Sequence, residues 1–249
     1  KMSTTQTIGQ LQHIDRSVVF HPSTYASDHS HGKVPVNIIK GGRGIYITNQ
    51  EDTEFLDAFA GLYCVNVGYG RVEIADAIYE QAKKLSYYHT YAGHSNEAII
   101  ELSSRIINWA PDGMRKVYFG LSGSDANETQ IKLVRYYQNI LGNKLKKKII
   151  SRDRGYHGSS IASGSLTGLN LFHKNFDLPI EGILHTVAPH FYWNAEEGMS
   201  EIEFSEYCAL ELEKMIIAEG SETVAAFIAE PVMGTGGLVP PPEGYWDAV

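Results

Sequence analysis

With 249 residues, 43% of them hydrophobic and 20% charged, the chain is long enough to bury a sizeable core as one large domain or two smaller ones. Lys and Arg number 21 against 29 Asp and Glu, a net charge of −8, so no global positive field exists to recruit nucleic acid or anionic lipid. No stretch approaches the roughly 20 apolar residues that cross a bilayer, and no secretory signal pattern is seen, so no membrane partner is expected. The two cysteines, Cys64 and Cys208, are too few for a disulfide framework; both lie in apolar patterns suited to packed thiols, and a reducing cytoplasm is the expected setting. Lys1 ahead of Met2 reads as an added residue.

In chain order, residues 13–34 carry His, Ser, Pro and Asp without a sustained period and read as an extended segment laid over a surface. Runs at 36–40, 45–48 and 54–56, separated by turns at 41–44 and 49–52, predict a small ribbon that needs a larger body to pack on. From residue 71 helical periods alternate with short apolar runs. Ile74, Ala75, Ile78, Ala82 and Leu85 form one stripe; Ile99, Leu102, Ile106 and Trp109 form another, opened by Ser95 or Asn96 and stopped near Pro111. A strand is expected at 116–119, then a helix opened by Ser124 and running to Gly142, then a strand at 148–151, which together make a βαβ unit. Lys144, Lys146, Lys147 and Lys148 read as a solvated loop that complements the preceding helix end. Further strands are expected at 183–187 and 224–230, with a helix at about 204–219 between them, ended by Gly220. Such alternation implies a largely parallel α/β sheet with ligands at the carboxyl ends of its strands.

Three strand ends carry suggestive polar residues. At 122–128, Ser122, Gly123 and Ser124 open a helix whose first amides lack intrahelical partners, which makes an anion seat for a phosphate; Ser122 and Asp125 also fit an ordinary capping box. Tyr156, His157 and Gly158 follow the second strand, and Glu230 and Pro231, with glycines at 234, 236 and 237, follow the last. A phosphate on the first, the aromatic face of Tyr156 and the Glu230 carboxylate together suit a flat, phosphorylated ring. Each alone also fits a packed aromatic, a strand-end cap or a turn. The segment at 120–124 lacks the last glycine of a serine-hydrolase nucleophile elbow. Among the ten histidines, His29 and His31 are the close pair, in an expected loop, so a metal hydrolase is set aside and no metal site is assigned.

The string Phe119-Gly120-Leu121-Ser122-Gly123-Ser124-Asp125-Ala126-Asn127-Glu128-Thr129, followed by Gly155-Tyr156-His157-Gly158 and then Phe227-Ile228-Ala229-Glu230-Pro231 with Gly236-Gly237, resembles the class III pyridoxal phosphate-dependent aminotransferases. Residues 57–63 and 67–70 resemble that family's earlier segment, nearest its amine:pyruvate or ω-transaminase branch. The resemblance implies the type I fold of these enzymes: an α/β large domain with a mostly parallel sheet and helices on both faces, plus a small α+β domain. Residues 1–62 are then expected to be the N-terminal part of the small domain and residues 63–249 an incomplete cofactor-binding large domain. It implies pyridoxal 5′-phosphate as cofactor, an amine donor and a keto acid such as pyruvate as substrates, and a homodimer, with the segment around His21-Pro22-Ser23-Thr24-Tyr25 reaching an active site.

The roles implied at matching positions are specific. Gly123 and Ser124 bind the phosphate, supported by Ser122; Tyr156 stacks on the pyridine ring; His157 lines the pocket; Glu230 joins the network beside the ring hydroxyl; and Tyr63 stands beside the substrate. The family's Asp at the pyridine nitrogen and its Schiff-base Lys match nothing up to Val249, so no catalytic residue is assigned. The chain is therefore expected to be the N-terminal portion of a transaminase, inactive by itself. The alternative reading is a non-catalytic α/β module that binds a phosphorylated ligand.

Overall fold

The computed structural model describes residues 7–249. These form two compact units, divided between Arg105 and Ile106 within a helix.

The first unit contains helices α1 (Ile8–Val18) and α2 (Ala26–Ser30), strands β1 (Ile39–Arg43), β2 (Tyr46–Asn49) and β3 (Glu54–Leu56), a single turn α3 (Ala60–Tyr63), α4 (Val72–Lys84) and most of α5 (Glu97–Trp109). Half of the segment expected to be extended at 13–34 is helical. Its signal lies just upstream: Thr7 Oγ1 accepts from the Gln10 amide at 3.3 Å while the Gln10 side chain accepts from the Thr7 amide at 2.9 Å, a reciprocal cap that starts α1. The ribbon forms as an antiparallel sheet in the order β1-β2-β3. Its first turn is tighter than expected: Arg43 pairs with Tyr46, which leaves Gly44 (φ +59°) and Ile45 as a two-residue hairpin loop. Cys64 is exposed rather than packed.

The second unit contains α6 (Gly123–Ile140), β4 (Lys148–Arg152), α7 (Ile161–Leu166), α8 (Asn170–His173), β5 (Ile183–Thr186), α9 (Phe191–Asn194), α10 (Glu201–Glu219), β6 (Val224–Phe227) and α11 (Tyr245–Ala248). Its parallel sheet has the order β5-β4-β6. Alternation along β4 divides the core. Ile149 packs with Ile131 of α6, Leu166 of α7 and Ile183 of β5. The next residue on that face, Ser151, donates to the Leu166 carbonyl at 2.7 Å. On the opposite face Arg152, fully buried, lies over the rings of Tyr245 and Trp246 at 5.7 and 5.5 Å, and Tyr245 packs with Phe204 and Cys208 of α10. Helices therefore cover both faces, and burial pushes the Cys208 thiol up to about 11.

The chain leaves β4 for β5 on one side and reaches β6 on the other, so strand order reverses at β4. Parallel α/β sheets bind ligands at such a point, outside the carboxyl ends of the strands. Three expectations need correction. Residues 116–119 form no strand: the run has the composition of one, but no neighbouring strand among the described residues offers a ladder, and Tyr118 is exposed. The final strand ends at Phe227, because beyond Ile228, whose amide reaches the Ile150 carbonyl at 2.9 Å, the backbone leaves the sheet. Lys148 opens β4 rather than sitting in a loop, and its ammonium donates to the Glu219 carboxylate at 2.7 Å.

Candidate active site

The three strand-end motifs meet in the second unit. Ser122 is the N-cap of α6 in extended conformation, and its hydroxyl accepts from the Asp125 amide at 3.1 Å. Only half of the expected capping box forms, since the Asp125 carboxylate accepts instead from the Leu121 amide, one residue before the cap, at 2.9 Å. The amides of Gly123 and Ser124 lie in the first helical turn, where no carbonyl precedes them at helical spacing. A Cβ built on Gly123 would meet nothing within 4 Å, so the approach to these donors is open.

Two hydrogen bonds fasten this helix end to the loop after β4. Asn127 Nδ2 donates to the His157 carbonyl at 2.6 Å, and Ser124 Oγ accepts from the Ser159 amide at 3.1 Å. That bond uses an acceptor site of Ser124 and leaves its O–H to point elsewhere. Such close approach requires Gly158 (φ +134°), where a Cβ would stand 2.6 Å from Ser124 Oγ. Glu128, one helical turn beyond Ser124, accepts from Ser160 Oγ at 2.5 Å and from the amides of Ala162 and Ser163 at 3.0 and 3.1 Å, capping α7. Burial raises its pKa, but these hydrogen bonds outweigh it and hold the carboxyl below its ordinary value.

Glu230 joins the third motif to the second. Its Oε1 accepts from the Tyr156 amide and its Oε2 from the Gly234 amide, both at 2.9 Å, while its carbonyl accepts from Arg152 Nη2 at 2.5 Å. Tyr156 is half-buried, its ring set edge-on to Phe172 with centroids 5.6 Å apart. The His157 backbone amide donates to Thr167 Oγ1 at 2.9 Å, and its imidazole is 7% exposed with Nε2 lacking a partner. Burial is the main reason that its pKa falls to about 4, which leaves the ring neutral near pH 7. Arg154 donates twice to the Gly236 carbonyl, at 3.0 and 2.6 Å, adding a second link to the glycine-rich turn.

Thus the structure brings together Ser122, Gly123, Ser124, Tyr156, His157 and Glu230. Tyr63 lies in the other unit, where it is exposed and edge-on to Phe59 at 5.1 Å. Sequence reasoning missed three connecting residues: Asn127 and Glu128, which stand inside the first motif, and Thr167, which no local pattern marks. It also missed that His29 joins His21 and Asp15 rather than His31. Both imidazole Nε2 atoms meet the Asp15 carboxylate at 2.9–3.2 Å, an arrangement that hydrogen bonding accounts for.

The site is therefore that of a parallel α/β protein, with a helix N-terminus, an aromatic ring and a carboxylate gathered beyond the sheet's reversal point. The chain belongs to the aminotransferase class-III family, which it matches over residues 26–249. It is 64% identical over 237 residues to diaminobutyrate–2-oxoglutarate transaminase of Halomonas elongata, covering 94% of this chain and 50% of that one. It is 45% identical to putrescine–pyruvate aminotransferase of Pseudomonas aeruginosa, covering 85% and 46%. A solved transaminase from ancestral reconstruction superposes with a TM-score of 0.95 at 68% identity, covering 97% of this chain and 53% of that one. The ω-transaminase of Pseudomonas jessenii in complex with PMP superposes at 0.93 and 43%, covering 96% and 52%. The chain spans about half the length of the curated relatives it matches.

Proposed function

We propose that this chain forms the phosphate-binding part of a pyridoxal phosphate-dependent transaminase that moves an amino group from an amine or ω-amino acid to a keto acid. The observation that carries this reading is the closure of three distant motifs into one site by the Asn127–His157, Ser124–Ser159 and Tyr156–Glu230 hydrogen bonds. The names of the relatives, which include diaminobutyrate, putrescine and γ-aminobutyrate transaminases, favour a donor carrying a terminal amine. In this reading residues 1–62 belong to the small domain and residues 63–249 to the large domain of a cytoplasmic homodimer.

The residues present fit the cofactor. The first-turn amides of Gly123 and Ser124 and the Ser124 hydroxyl would hold the phosphate, at a helix terminus that favours negative charge. Tyr156 gives the pyridine ring an aromatic face, and Glu230 holds that tyrosine's backbone in place. His157, neutral and buried, adds no charge to the site. When bound, the cofactor supplies an electron sink for the carbon that carries the amine. This chain's own part is to seat and orient that group: Gly158 lets the loop close on the helix, and Glu128 fixes α7 behind it. Tyr63 is assigned to the substrate side.

The test is reconstitution of the full-length enzyme with pyridoxal phosphate. A visible absorption band abolished by borohydride, and amine-dependent conversion of pyruvate to alanine, are expected. Absence of the band sinks the reading.

A further inference from the structure

Two imidazoles and one carboxylate of the first unit converge within fifteen residues of chain. Asp15 stands in the last turn of α1, whose end is closed by the Val19 amide on the Asp15 carbonyl at 2.9 Å. His29 lies on α2, where its amide reaches the Tyr25 carbonyl at 3.0 Å, and His21 belongs to the connection between the two helices. The rings of His21 and His29 stand 4.4 Å apart, and both turn Nε2 toward Asp15. His21 Nε2 is 3.1 and 3.2 Å from the two carboxylate oxygens, His29 Nε2 is 2.9 Å from Oδ1, and one ligand atom from each of the three residues falls within 4.8 Å of the others.

Hydrogen bonding accounts for this cluster as it stands: a carboxylate only accepts, so each Nε2 carries its proton toward Asp15. The same three atoms also have the spacing of metal ligands. Bonds of about 2.0–2.1 Å to a tetrahedral Zn²⁺ put neighbouring ligand atoms roughly 3.3 Å apart, so the cluster needs to open by only a few tenths of an ångström. Each ring then stays neutral by carrying its proton on Nδ1, which frees the Nε2 lone pair for the metal. Exposure is graded across the cluster. The side chain of His29 is 5% exposed, that of Asp15 20% and that of His21 38%, so one side is sheltered and the other meets solvent. A cavity of about 200 Å³ beside His21 and His29, lined also by Ser17 and Thr24, leaves room for water at the fourth position. Neighbouring groups of the same types are engaged elsewhere. His31 Nδ1 donates to the Ser27 carbonyl at 2.7 Å, and Asp28 pairs with Lys33 at 2.9 Å.

We propose that Asp15, His21 and His29 form a zinc site that ties the end of α1 to α2, with water completing the coordination. Two imidazoles and a carboxylate, without a thiol, suit Zn²⁺ better than the all-oxygen cations Ca²⁺ and Mg²⁺. The site lies wholly within residues 15–29 and is independent of the cofactor reading.

The experiment is calorimetric titration of the full-length holoenzyme with zinc chloride after passage over a chelating resin. One Zn²⁺ per chain with a dissociation constant of about 10 μM or tighter is expected, and Ca²⁺ should give no binding at the same concentrations. His21→Gln and Asp15→Asn should each weaken zinc binding about 10-fold or more, the least that a ligand should cost where loss of a group merely orienting one costs this much. His31→Gln should leave it unchanged. His21 is partly exposed, so its variant keeps the test decisive even where substitution of buried His29 prevents folding. Binding weaker than about 100 μM, or stoichiometric binding that survives His21→Gln, overturns the site. An equal loss in His31→Gln and His21→Gln overturns it too, since surface imidazoles at large would then be the ligands.

Discussion

The two units build their candidate residues in opposite ways. In the second unit the site is closed by contacts between residues far apart in the chain: 30 positions separate Asn127 from His157 and 74 separate Tyr156 from Glu230. In the first unit the turn that carries Tyr63 is held by residues at most 12 positions apart, Asp57 and Tyr69. A site of the first kind exists only once the sheet has formed, because its loops are placed by strands that must first pair. A turn of the second kind needs little beyond its neighbours. Damage to the long-range site should therefore register in global stability and cofactor retention together, whereas damage to the local turn should stay local.

The change expected to break this comparison most visibly is Gly158→Ala. The added methyl meets Ser124 Oγ and Ser163 Oγ at a φ of +134°. A loss of about 3 kcal/mol in unfolding free energy of the cofactor-free, full-length enzyme is expected in urea titration. A loss under about 0.5 kcal/mol, typical of an innocuous surface change, would show that the loop does not need its close approach to α6.

Ser124→Ala removes a candidate phosphate donor together with the Ser124–Ser159 bond. Loss of a hydrogen bond to a charged group, worth about 1.5 to 3 kcal/mol, should raise the dissociation constant for pyridoxal phosphate by about 10- to 100-fold, as read by equilibrium dialysis. Unchanged retention would move the phosphate away from this helix end.

His157 offers a pH test. Its folded pKa near 4 lies below the ordinary 6.5, so the unfolded chain binds the proton first as the solution is acidified. Its contribution is present above pH 6.5 and is lost progressively as pH falls toward 4. Between pH 7 and pH 5 the wild type should lose about 2 kcal/mol more stability than His157→Gln. Equal losses in the two proteins would mean that the imidazole is hydrated in solution. At the small end, Lys148→Met removes a half-exposed ion pair with Glu219 and should cost about 0.5 to 1 kcal/mol by the same unfolding measurement.

Local chemistry explains which elements were legible. The stripe beginning at Ile74 became α4, the three runs between residues 36 and 56 became the ribbon, and Gly220 ended α10 where expected. The start of α1 is written in the chain as its capping pair, Thr7 and Gln10, a signal of cap chemistry and not of apolar period. The apolar run at 116–119 has the composition of a strand, yet a strand is a property of two segments and not of one.

Sequence by itself determined the helix start at residues 122–124, since a small, hydroxyl-rich opening leaves the first-turn amides without intrahelical partners wherever the helix lies. It also determined the order of motifs through which family membership was read. Only the tertiary structure decided that Glu230 grips the Tyr156 amide, that Asn127 and Thr167 hold the loop around His157, and that the Asp57 carboxylate meets the Gly61 amide. These are pairings between groups brought together by the fold, and helical or strand periodicity carries information about a residue's own face but none about the partner across from it.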